Sequence, residues 1–157
     1  MKRNAIKDGI KVIGSYRLQI TEEGKVVGDT GWKQNQIVNL GFNQYLVMSL
    51  GSISGSKFIT HVALGSGGAP AASATSISGE VEKRAAVTAA TSSGSKTLRL
   101  TATFDSAASF VTNTQNISNI ALANTSSGGT IFSGNTYASS AVATNQNVNV
   151  TYDIIFA

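Results

Sequence analysis

A single histidine, His61, and the absence of cysteine limit the chemistry open to this 157-residue chain. One imidazole cannot build a His-rich metal site, and zinc-finger clusters need thiolates. A Ser-His-Asp relay is formally possible with any serine, but no Gly-x-Ser-x-Gly elbow surrounds one. Gly51-Ser52-Ile53-Ser54-Gly55 has the flanking glycines and places Ile53 at the centre. His61 falls in the middle of a strand pattern, so it reads as a strand-surface or hydrogen-bonded core histidine. Glu80 and Glu82, at i and i+2, share one face of an expected strand. Paired carboxylates drive acid-base chemistry in glycosidases, yet here no aromatic sugar platform lies nearby, and the pair reads as a solvated face. Gly65-Ser66-Gly67-Gly68 could cradle an anion, but it lacks the Gly-Lys-Ser/Thr of a P-loop and precedes no helix; a loop between strands is the simpler reading. The expectation is a non-enzymatic chain with no catalytic residue, no metal and no cofactor.

Binding is better supported than catalysis. Lys2, Arg3, Lys7 and Lys11 make the N-terminus basic. The net charge of +4 is small for a nucleic-acid binder, no aromatics interleave with the basic residues, and Asp8 interrupts them. Residues 1–12 are therefore read as an arm whose four cations are assembly contacts on a neighbouring protein. Sugar sites offer exposed aromatics beside polar groups, which makes Trp32, Tyr45, Tyr137 and Tyr152 candidates. Tyr137 and Tyr152 are the ligand-facing pair, although each also fits a core. No Lys or Arg follows Arg99, and Asp105 and Asp153 are the only acids beyond it. So long a charge-poor stretch suits either a subunit interface or an ordinary polar β-face.

The elements that must position these residues read as strands. Charged residues are 13% of the chain, about half the usual share, and Ser, Thr, Asn, Ala and Gly take their place. No apolar run approaches the ~20 residues of a membrane-spanning helix, and no secretory core follows the basic start. Tyr16, Leu18 and Ile20 alternate with Arg17 and Gln19, and a turn at Glu22-Glu23-Gly24-Lys25 leads into Val26 and Val27 as a hairpin. Phe58 to Leu64 is apolar on both faces and predicts a central strand. Glu80 to Thr91 and Lys96 to Phe104 predict another hairpin. Further strands are expected at Ile117 to Ala123, Thr130 to Ser133, Thr136 to Val142 and Val148 to Phe156. One helix breaks the pattern, over 40–50. Asn39 is its N-cap, Phe42, Leu46 and Leu50 face the core, and Gly51 stops it. Trp32, just before it, covers one end of the structure. The fold class expected is all-β: one antiparallel β-sandwich domain over 1–157, jelly-roll or Ig-like, of about 8–10 strands with one short helix.

Four stretches also appear in a set order: Gly24-Lys25-Val26-Val27 with Asp29-Thr30-Gly31-Trp32; Asn35-Gln36-Ile37-Val38-Asn39-Leu40-Gly41-Phe42; Ile59-Thr60-His61-Val62-Ala63-Leu64-Gly65-Ser66-Gly67; and Ile117-Ser118-Asn119-Ile120-Ala121-Leu122, followed by Ile131-Phe132-Ser133 and the closing strand. Together, over about residues 16–156, they resemble a broad group of small structural proteins from tailed bacteriophages, described as tail-fibre-like or minor virion proteins. The resemblance implies a structural module of the virion, assembled in the host cytoplasm. It implies other virion proteins and further copies of the chain as partners, in a head-decoration, collar or tail-attached position. The alternative is a receptor- or carbohydrate-binding tip module of a tail fibre.

Overall fold

A computed structural model describes residues 9–157, so Lys2, Arg3 and Lys7 lie outside the described residues. The hairpin that opens the chain follows its alternation. In β1 (Val12–Glu22) the side chains of Tyr16, Leu18 and Ile20 are buried. Glu23 and Gly24 both take positive φ, 49° and 79°, the turn geometry whose twist matches a two-residue hairpin. β2 (Lys25–Asp29) then returns along β1.

The sheet is antiparallel throughout and rolls into a nearly closed barrel. Its remaining strands are β3 (Lys33–Ile37), β4 (His61–Gly65), β5 (Ala85–Ala86), β6 (Thr88–Ala90), β7 (Thr97–Phe104), β8 (Gln115–Ala123), β9 (Ile131–Val142) and β10 (Asn147–Phe156). They follow the order β5-β4-β8-β9-β3-β1-β10-β7-β6, with β2 on β1. Two short segments turn the corners by changing partners. In β3, Lys33 to Asn35 pair with β1, whereas Gln36 and Ile37 pair with β9. Across the barrel, β5 pairs with β4 and β6 pairs with β7; between them the Val87 amide donates to the Thr60 carbonyl at 3.0 Å. Strands that switch sheets in this way make the corners of barrel-like β-structures. The strand expected over 80–91 is thus broken, because its two halves serve opposite edges. The two strands expected at 130–133 and 136–142 are instead one, β9.

The barrel interior holds the main core. Val148, Val150, Tyr152 and Ile154 of β10 face Leu100, Ala102 and Phe104 of β7 and the buried residues of β1. β4 is covered on both faces, as its two apolar sides predict. Val62 and Leu64 join the main core, whereas Ala63 packs outside the barrel with Ala121, Ala123, Val38 and Ile77.

The helix α1 is wide at its start, a π-helical stretch Gly41–Val47 continued by an α-helical turn, Met48–Leu50. Its inward face is one residue out of phase with the expectation. Gly41 and Tyr45 are buried, Phe42 is nearly half exposed, Leu50 is 90% exposed, and only Leu46 of the expected trio packs on the core. Gly41 sets this phase, because a Cβ there would collide with the Phe132 carbonyl, and no other residue type lets the backbone approach so closely. Asn39 does not cap the helix. Its side chain is exposed, its backbone amide donates to the Ala72 carbonyl at 2.7 Å, and the cap position is Leu40, which makes no side-chain cap bond. The entry is fixed by tertiary contacts: the Val38 amide donates to the Phe132 carbonyl at 3.1 Å. Trp32 does not cover the barrel end either. It is 48% exposed and lies on the outer surface, with the Arg99 guanidinium 6.0 Å above its ring.

Candidate functional site

The residues first considered for chemistry are held in structural roles. His61 Nδ1 and Thr60 Oγ1 share a hydrogen bond of 2.8 Å, and burial, then the nearby Arg84, hold the histidine's pKa below the usual imidazole value. Glu80 and Glu82 share no strand. Glu80 takes a two-pronged bond from Arg84 (2.5 and 3.0 Å), and the same guanidinium donates to the Thr125 and Gly128 carbonyls at 3.0 and 2.8 Å. The Arg84 side chain is only 3% exposed, so it serves as an internal brace for the loop between β8 and β9. Gly65 to Gly68 forms no anion nest, because two of its amides are already used. Ser66 N donates to the Gly79 carbonyl and Gly67 N to the Ser78 carbonyl. Ser118 and Asn119 in turn donate to the Gly67 and Gly68 carbonyls, at 3.0 and 3.1 Å. Among the described residues, no group of three or more His, Asp or Glu could hold a metal ion.

Tyr137 and Tyr152 are not ligand-facing. Both are buried with Tyr16, whose ring centroid lies 6.3 Å from that of Tyr137 and 5.4 Å from that of Tyr152. Strand parity is the reason: Tyr152 shares the inward face of β10 with Val150 and Ile154. Its hydroxyl donates to Asn35 Oδ1 at 2.8 Å, and the Tyr16 hydroxyl donates to the Thr136 carbonyl at 2.9 Å. The Tyr137 hydroxyl is buried without a partner among the described residues. Burial raises all three phenols, Tyr16 to about 12. Lys11, the one described member of the basic quartet, is exposed, and its backbone exchanges hydrogen bonds with Ala157 at 2.6 and 2.7 Å.

One open face of the fold is apolar. Where β7 begins and β10 ends, α1 and the 57–59 segment stand away from the barrel and leave a groove. Part of it is a cavity of about 240 Å³ lined by Leu98, Leu100, Ile154 and Phe156 and by Tyr45 and Phe58. Phe156 is central, because it also lines the adjoining hollows toward Leu50, toward Thr91 and toward Ile10. The rim is unusually greasy for a surface: Ile10 is 80% exposed, Phe58 68%, and Leu50 more still. Tyr45 anchors the α1 wall. Its hydroxyl donates to the Thr130 carbonyl at 2.5 Å and its ring stands edge-on to Phe132, centroids 5.5 Å apart. Residue-by-residue reading missed this groove because most of its apolar side chains were credited to strand interiors or to the core face of the helix. The available signal is the lapse of alternation at Phe58-Ile59 and Ile154-Ile155-Phe156, where neighbours on both faces are apolar.

Comparison with protein-family models, with curated proteins and with solved structures found no match.

Proposed function

We propose that this chain is a non-enzymatic structural component of a tailed-bacteriophage virion, a head-decoration, collar or tail-attached module that assembles through subunit contacts. The observation that carries the reading is the open groove around Phe156. Contiguous exposed apolar surface marks interaction sites, whereas the Arg84–Glu80 pair braces the fold. Three of the four stretches that carry the sequence resemblance also belong to one packed unit. Asn35 bonds Tyr152, Gly41 lies against Phe132, Ala63 packs with Ala121, and Gly65 pairs with Asn119. We read the barrel as a variant of the jelly-roll or Ig-like sandwich whose two sides are joined at β3 and at 85–90. Its partners are other virion proteins and further copies of the chain, and its place is the virion assembled in the host cytoplasm. The tip-module alternative loses Tyr137 and Tyr152 to the core and keeps only Trp32 as an exposed aromatic ring among its candidates. Among the described residues no helix is long and apolar enough to cross a membrane.

The test is localisation in purified particles by peptide mass spectrometry and cryo-electron microscopy. The expected result is stoichiometric chain in the virion with assigned density. A stable monomer absent from particles and without affinity for virion components overturns the proposal.

A further inference from the structure

We propose that the groove around Phe156 binds an extended segment of a partner virion protein in which apolar side chains are combined with carboxylates. The inference rests on the structural-component reading and adds to it the chemistry of the partner. Two features select this occupant. The floor and rim offer mainly hydrocarbon to a visitor, from Leu50 past Phe156 to Ile10, so recognition favours apolar side chains at intervals along an elongated ligand.

The charged side chains that line the groove are of one sign. Lys57 stands beside Phe58, and Lys96 stands in the hollows toward Thr91 and Ile10; no Asp or Glu side chain is among the described lining residues. Neither lysine makes a salt bridge with a described carboxylate. A segment with a carboxylate near each lysine meets both fields, which speeds association and fixes register. A second copy seated on the same patch would set Lys57 and Lys96 against their own counterparts. The chain's own start, with Lys2, Arg3 and Lys7, carries the same sign as the groove. A fatty acid offers one carboxylate where two separated cations wait.

The probe is a short synthetic peptide alternating Phe or Leu with Glu, titrated into the full chain and followed by heteronuclear NMR. Controls replace Glu by Lys, or Phe and Leu by Ser. Expected are amide shifts clustered at 57–59, 96–98 and 154–157, and binding weakened about tenfold in the doubly substituted Lys57→Glu/Lys96→Glu chain. Arginine at both positions restores binding, and raised salt weakens it. Phe58→Ser, at an exposed rim position, weakens binding without lowering the melting temperature. Shifts centred elsewhere, equal binding of the Lys-containing peptide, preferential uptake of oleate, or a dimer that closes over Phe156 would each overturn the proposal. Particle composition separates this failure from that of the parent reading. A chain present in virions whose groove ignores the acidic peptide defeats only the groove assignment, and a groove that binds the peptide in a chain absent from virions defeats only the virion assignment.

Discussion

At the scale of single residues, the polar side chains that look reactive in the sequence are fasteners. Glu80 is the clearest case, since the one buried guanidinium of Arg84 ties it to two carbonyls of the 124–130 loop. Arg84→Met leaves those acceptors unpaired, and the expected cost is about 2–3 kcal/mol, read as a lower urea midpoint at unchanged slope. The tyrosine cluster gives a contrast within one chemistry. Tyr152→Phe removes the bond to Asn35 and should cost about 1 kcal/mol, whereas Tyr137→Phe removes an unpartnered hydroxyl and should be neutral or slightly stabilising. The same burial predicts alkaline unfolding. The Tyr16 phenol titrates near 10 in the unfolded chain and at about 12 in the folded one. Its contribution is therefore complete below about pH 10 and is lost as pH rises toward about 12. Phenolate absorbance and circular dichroism followed together through that window should change in concert.

At the scale of elements, what could be read in advance depends on whether the controlling force was local. β1 and β10 were legible because their side chains alternate and both strands lie inside the barrel wall. The π-helical start of α1 was not, because the Gly41 contact with Phe132 that sets its phase joins residues far apart in sequence. Nor was the partner change at Val87, since nothing in Ala85 to Ala90 distinguishes one edge of the barrel from the other. The burial of Tyr137 and Tyr152 lay between these cases. The strand parity was visible, and only the closure of the sheet decides which side is inside. A pair of substitutions tests the phase of α1 directly. Gly41→Ala should destabilise by about 1–3 kcal/mol through the forced backbone shift, whereas Leu50→Ser should stay within about 0.5 kcal/mol. Thermal denaturation of the two variants decides between this phase and the one in which Leu50 faces the core.

At the scale of the whole molecule, the nearly closed barrel is built by pairings between distant parts of the chain. β1 runs beside β10 from Val12↔Phe156 to Thr21↔Asn147, and β10 is in turn paired with β7. Such long-range pairing must overcome loop-closure entropy before it is rewarded, so refolding from urea should fall in the range of about milliseconds to seconds. Stopped-flow fluorescence of Trp32, which sits on the surface beside Arg99, provides the signal. A microsecond phase carrying the full amplitude would be incompatible with this topology.

The reciprocal bonds between Lys11 and Ala157 hold both described ends of the chain side by side, and Gly9, Ile10 and Ala157 border the same hollow as Phe156. Anything joined to Ala157 would emerge at the mouth of the groove and compete with whatever binds there. Pull-downs with such fusions would then miss the partner they were built to find. The Glu23-Gly24 turn, at the other end of β1, is the position at which a label would leave the groove clear.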